Sequence, residues 1–156
     1  MPANSRVHLY RATSSWVGST AVGYDHYDRT HSVTADPSRS PLTLSADPAF
    51  QGNASLLNPE QLLLMAASSC QLLSFLALAA RSRIDVLRYD DDAEAEMPEN
   101  ATPVRITRIV LRPRVLVARG TPEERVLKLL HKAHDQCYIA NSLKSEISLE
   151  AVIEFR

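Results

Sequence analysis

Apolar and polar positions alternate with a period of two near both ends of this chain, and the middle carries a long run with no charge at all. Arg6 to Trp16 is rich in strand formers (Val7, Leu9, Tyr10, Thr13), and Val22 to Ala35 continues in the same style, with Gly18 between them suited to a turn. Asp36-Pro37-Ser38-Arg39-Ser40-Pro41 reads as a turn, followed by a short strand from Leu42 to Ser45 and an irregular loop from Asp47 to Leu57. Ile84 to Met97 starts as a strand and turns acidic, and Pro98-Glu99-Asn100 then makes a hairpin-type connection. Val104 to Val117 interleaves apolar residues with Arg105, Arg108 and Arg112, its alternation slipping at Thr107-Arg108 as a bulge would make it slip. The arginines are expected opposite the acidic strand as cross-strand pairs. From Glu146 to Phe155 one face carries Ile147, Leu149, Ala151, Ile153 and Phe155, and the other is polar except for Val152.

Two helices are marked by their ends. Asn58 is a favoured N-cap, Pro59 suits the first helical position, and Glu60 lies where the helix dipole favours an anion. That helix is expected to reach Arg81–Arg83. The second opens at Thr121-Pro122-Glu123-Glu124, a capping-box pattern, and carries a stripe of Val126, Leu127, Leu130, Ala133, His134 and Cys137 before Asn141-Ser142 ends it. The order β-β-β-α-β-β-α-β predicts an α+β fold with antiparallel sheet rather than a doubly wound one.

Gln61 to Ala80 is uncharged and of membrane-spanning length. Its Gln61, Ser68, Ser69, Gln71 and Ser74, its alanines and the lack of a second span favour a buried central helix instead. A helix uncharged all round must be covered on most sides. A chain of 156 residues has little material for that, so a dimer sharing its core is expected.

Composition narrows the function classes. With 45% hydrophobic and 22% charged residues the chain reads as an ordinary globular protein, a single domain over 1–156. A net charge of −1 without basic blocks leaves no footprint for nucleic acid or an anionic membrane. Met1 to His8 lacks the apolar core of a leader, so a reducing cytoplasm is the expected location.

The two cysteines, Cys70 and Cys137, carry the candidate chemistry. They are too far apart for a CxxC pair, so only folding could join them. Burial among Leu63, Ala66, Leu73 and Ala77 would raise the Cys70 pKa and leave it inert unless a cation from outside its helix lowers it. Cys137, towards a helix C-terminus, suits a resolving thiol better than an attacking one. A thiol that takes an oxygen from peroxide becomes a sulfenic acid, which a second thiol condenses to a disulfide. A zinc site from His131, His134, Cys137 and Cys70 is the metal alternative, although the i, i+3, i+6 spacing drifts around a helix.

Asn58-Pro59-Glu60-Gln61-Leu62-Leu63 with Cys70 behind it, and Ala133-His134-x-x-Cys137 followed by Ala140-Asn141-Ser142, resemble the OsmC/Ohr family of thiol-dependent hydroperoxide reductases. The resemblance covers roughly residues 6–156. Phe50-x-Gly52 before the Asn-Pro-Glu segment points to the OsmC-like branch. It implies an OsmC-like fold in an intertwined homodimer, with Cys70 the peroxidatic and Cys137 the resolving thiol. It also implies a Glu and an Arg at the site. Glu60 matches the Glu; Arg29 is the choice for the Arg, with Arg11 and the Arg105/Arg108 stripe as substitutes. Gln71 departs from the Phe that often follows the first Cys.

Glu60 and Cys70 lie ten positions apart on one helix, about 15 Å along its axis, so joint action requires Glu60 to meet the Cys70 of a partner across a two-fold axis. The expectation is an antioxidant, stress-response peroxidase without cofactor or metal. It would reduce alkyl or fatty-acid hydroperoxides at the expense of an external dithiol, with Leu63, Leu73, Phe75 and Phe50 as apolar lining. The rival is a non-catalytic binding protein of the same fold holding a small apolar ligand in its dimer groove.

Overall fold

The structure is a computed structural model describing residues 6–156, so the leader reading of Met1–His8 falls mainly on residues outside those described. The chain divides into two compact units, one ending at Gln61 and one running from Leu62 to Arg156.

The first unit is built on an antiparallel sheet of β1 (Arg11–Ser15), β2 (His31–Asp36) and β3 (Leu42–Leu44), in that order. Arg11 lies opposite Asp36, and His31 opposite Leu44. The second strand is shorter than the sequence pattern predicts. Thr20–Val22 forms a 3-10 turn ended by Gly23 at φ 93°, a left-handed backbone that glycine adopts without steric penalty. The aromatics after it, Tyr24 and Tyr27, gather around Arg29 instead of alternating along a strand. Gly52 is required by close approach: a Cβ there would lie 1.7 Å from the Ala46 carbonyl oxygen.

Helix α1 spans Pro59–Arg81. Its start is a reciprocal capping box in which Asn58 Oδ1 accepts the Gln61 N–H at 2.9 Å and Gln61 Oε1 accepts the Asn58 N–H at 3.0 Å. The helix is long and apolar enough to cross a membrane, and only 22% of its most apolar window is buried. Its buried stripe is Ala67, Gln71, Phe75 and Ala79, at i, i+4, i+8 and i+12, while Met65, Leu73 and Leu76 are exposed. The expectation of a helix covered on most sides is therefore not met within one chain, because one sheet-and-helix layer covers one stripe.

In the second unit the predicted strands each break in two. β4 (Val86–Asp91), β7 (Pro113–Val117) and β9 (Val152–Phe155) form one sheet in the order β4-β7-β9. β5 (Glu94–Glu96), β6 (Arg108–Leu111) and β8 (Glu146–Leu149) form another in the order β5-β6-β8. The irregularities lie between Val86 and Arg88 and at Arg112, not at Thr107-Arg108, where β6 begins. The last strands pair in parallel, β8 with β6 and β9 with β7. This departs from a wholly antiparallel sheet, and the intervening α2 (Glu123–Asp135) supplies the crossover that parallel pairing needs. The pairing with the acidic strand holds for Arg108, opposite Glu96 with a 3.2 Å ion pair, and for Arg112, which reaches Glu94 at 3.5 Å and Glu150 at 2.9 Å, but not for Arg105, which donates to Lys144 O at 3.3 Å.

α2 starts without the predicted capping box. Pro122 occupies the N-cap, which has no side-chain acceptor, and the Thr121 hydroxyl donates back to Ala118 O at 2.7 Å. It also stops at Asp135, so Cys137 stands in the turn beyond the helix and not on its stripe. Two clusters form the core. One gathers Phe75, Ala79, Val115, Val117, Val126 and Leu130; the other Ala67, Ile109 and Leu111.

Candidate functional site

Folding brings the two thiols together. Cys70 is partly exposed on α1, and Cys137 is buried at 1% exposure. The turn carrying Cys137 is pinned by backbone bonds: the Cys137 N–H donates to His134 O at 3.1 Å and the Asn141 N–H to Cys137 O at 3.0 Å. The Ala140 N–H reaches Cys137 Sγ at 3.5 Å. The sulfur of Cys70 faces this turn.

The two thiols differ in acidity. Burial pushes the Cys70 thiol up, but hydrogen bonds from the Cys137 thiol, the Ile139 N–H, the Ser74 hydroxyl and the Tyr138 N–H outweigh it, and the net pKa lies below the ordinary value. Burial, then donation of its proton to Cys70, pushes Cys137 up to about 11. The lowering at Cys70 thus comes from hydrogen-bond donors, where the sequence pointed to a cation. Arg105 and Arg108 are engaged elsewhere, Arg105 with Lys144 O at 3.3 Å and Arg108 with Glu96.

The pocket over Cys70, about 460 Å³, is lined by Leu73, Ser74, Ala77, Tyr138 and Ile139, with Arg81 its charged residue. Leu73 is therefore at the thiol. Leu63 packs against the Ile109–Leu111 cluster, and Phe75 lies in the core with its ring 5.8 Å from that of Tyr89, so neither lines this pocket.

Glu60, Arg29 and Phe50 meet in a separate pocket of about 570 Å³ within the first unit. Arg29 is held tightly there. Its NH1 donates to Tyr27 O at 2.9 Å and its NH2 to Tyr24 O at 2.7 Å. Its guanidinium lies 3.9 Å from the Tyr27 ring centre and 4.7 Å from that of Tyr24, a cation–π arrangement. Trp16 meets the Tyr27 ring edge-on at 6.2 Å. Asp47 and Phe50 reach the pocket from the loop that Gly52 closes. Arg11 does not line it.

The predicted residues thus fall into two pairs, Cys70 with Cys137 and Arg29 with Glu60. The sequence missed the aromatic frame of Arg29, because Trp16, Tyr24 and Tyr27 read equally well as strand formers; the Tyr24-x-x-Tyr27-x-Arg29 spacing is the signal. Ser74, one helical turn after Cys70, was legible by its i+4 spacing. The Tyr138 and Ile139 amides were not, since a backbone donor leaves no residue-type signature. No group of three or more His, Cys, Asp or Glu among the described residues is placed to hold a metal.

Residues 52–152 match the family model for OsmC-like proteins. An OsmC-like protein of unknown function from Vibrio cholerae is similar at 29% identity, covering 94% of this chain and 100% of that one, with a TM-score of 0.83. An organic hydroperoxide resistance protein from Elizabethkingia anophelis shares the fold at 17% identity, with 97% and 99% coverage and a TM-score of 0.72. The uncharacterized protein YmaD of Bacillus subtilis is 26% identical over 113 residues, 69% of this chain and 74% of that protein.

Proposed function

This chain belongs to the OsmC/Ohr family, and we propose that within it the protein is a thiol-dependent peroxidase for organic hydroperoxides. One observation carries the proposal: a partly exposed thiol with lowered pKa faces a buried thiol that keeps its proton. The Cys70 thiolate attacks the distal oxygen of R–O–OH and the O–O bond breaks. The alkoxide takes a proton and leaves as R–OH, and Cys70 becomes a sulfenic acid. The Cys137 sulfur then displaces the sulfenic oxygen as water, forming a Cys70–Cys137 disulfide. An external dithiol reduces that disulfide and is itself oxidised, with no other cofactor taking part. Organic hydroperoxide resistance proteins among the structural neighbours support the peroxide as substrate class.

Arg29 and Glu60 complete the site from the partner subunit of a homodimer. The partner's Glu60 reaches Cys70, and the partner's Arg29 and Phe50 bound the substrate. The exposed apolar face of α1 (Met65, Leu73, Leu76) supports such a dimer. The apolar lining of the thiol pocket favours alkyl or fatty-acid hydroperoxides over hydrogen peroxide, in a cytoplasmic setting that supplies a dithiol.

Turnover of cumene hydroperoxide with a dithiol reductant tests this. Activity should be lost in Cys70→Ser, and cumene hydroperoxide should be consumed faster than hydrogen peroxide. Equal rates would remove the apolar-substrate reading. A Cys70 that titrates as an ordinary thiol and turns over no peroxide would favour the non-catalytic ligand-binding protein.

A further inference from the structure

Gln71 follows Cys70 directly and is fully buried, at 0% exposure, on the inward stripe of α1. Its Nε2 donates to Leu130 O of α2 at 3.0 Å. Its Oε1 is buried without a partner. The orientation follows from chemistry, since a main-chain carbonyl only accepts and an Oε1 turned to it would be repelled. A buried amide satisfied at one end costs stability relative to an apolar side chain of the same length. An apolar cluster of Phe75, Ala79, Val126 and Leu130 would accept such a side chain. The single bond Gln71 makes joins the residue beside one thiol to the helix that delivers the other.

From Leu130 the path to the thiol is short and stiff. α2 ends at Asp135, and Gln136 caps it by donating to His134 O and Lys132 O. Cys137 is tied to His134 O and to Asn141 N–H, so the turn carrying Cys137, Tyr138 and Ile139 moves with the end of α2. We propose that Gln71 is a positioning residue of the peroxidase reaction: by holding α2 against α1 it sets the 137–139 turn over Cys70, where Tyr138 and Ile139 line the same pocket. The inference rests on the peroxidase reading for its function, and on the two-helix geometry for its structure. Within one chain, the titratable and charged groups around Cys70 among the described residues are Cys137 and Tyr138 from that turn and Arg81 from α1; the dimer proposed above adds the partner's Glu60 and the partner's Arg29, and Gln71 acts on the first two through α2.

The test is the pH profile of Cys70 alkylation by iodoacetamide, read at the Cys70 peptide by mass spectrometry. Gln71→Met keeps length and removes the donor. Its profile should move up by about one pH unit, with alkylation near neutral pH slowed about tenfold. Phe75→Leu loosens the same buried stripe and should lower stability while leaving the profile in place. A folded Gln71→Met whose profile superposes on the parent overturns the proposal.

A second measurement needs no variant. The Gln71 carboxamide protons, followed by NMR in the unsubstituted protein, should exchange slowly with solvent and shift as Cys70 titrates. Fast exchange and no response would overturn the proposal even if Gln71→Met does not fold. Because neither readout uses peroxide, a Gln71 effect in a protein that turns over no peroxide would retain the positioning role and remove the enzymatic one.

Discussion

Cys70 and Cys137 stand against one another with opposite shifts in acidity: donors on the turn from Cys137 to Ile139, together with Ser74, take the Cys70 thiol below the ordinary value, while burial first and Cys70 second push Cys137 up to about 11. The attacking and resolving roles proposed for them rest on that asymmetry. The nucleophile is the thiolate, so the thiol that ionises first and is reachable is the one that reacts first.

The first prediction concerns selectivity. Alkylation near neutral pH should modify Cys70 and leave Cys137 free, with a midpoint for Cys70 below 9.0, the ordinary value. Replacing the donor in Cys137→Ala should raise that midpoint. Peptide mapping after timed alkylation checks both, and equal labelling of the two cysteines would contradict the assignment.

Stability at high pH should carry the signature of Cys137. Its folded pKa is raised, so the folded chain keeps a proton that the unfolded chain releases near 9.0. Its contribution is therefore fully present below that pH and lost as pH rises towards about 11. Urea midpoints should fall across this window, and Cys137→Ala should flatten the fall. Tyr89, raised by burial and then by Asp91, adds a loss of the same sign at still higher pH.

Gly52→Ala should damage the Arg29–Glu60 pocket from a position that does not itself line it. The new Cβ would overlap the Ala46 carbonyl, which is backbone and cannot swing aside. The loop bearing Asp47 and Phe50 must then shift. A destabilisation of about 1–3 kcal/mol by urea titration is expected, together with reduced peroxide turnover while Cys70 alkylation stays unchanged.

Asp91 should matter more than the surface ion pairs. One carboxylate oxygen accepts the Arg112 N–H at 2.7 Å and the other the Ser68 hydroxyl at 2.5 Å. Asp91→Ala leaves both donors unpaired and should cost about 1–3 kcal/mol. Glu154→Ala removes a 3.6 Å pair with Arg114 between half-exposed side chains and should cost less than about 1 kcal/mol. Denaturant midpoints of the two variants check the ranking.

The fold was legible where a local signal names a local structure. Asn58, Pro59 and Glu60 mark the start of α1 because N-cap, first-turn proline and first-turn anion are written in residue types, and Glu146–Phe155 shows its two faces. What escaped was set by distant partners. The parallel pairing of β8 and β9 depends on where α2 carries the chain. The end of α2 before Cys137 replaced a longer periodic stripe. Thr121 carried the pattern of a capping box yet bonded backwards to Ala118. At the candidate site, the residue types pointed to Cys70, Cys137, Glu60 and Arg29. The source of the Cys70 shift did not show, because amides at Tyr138 and Ile139 exist at every non-proline position and acquire meaning only when a turn aims them. Leu63 and Phe75 share apolar character with Leu73, and only packing separates core from pocket.

The central claim is best tested by mixing the reduced protein with cumene hydroperoxide in a stopped-flow instrument and counting thiols before and after. Rapid loss of both thiols to an internal Cys70–Cys137 disulfide, absent in Cys70→Ser, is the predicted result. Two thiols still countable after exposure to excess peroxide would contradict it.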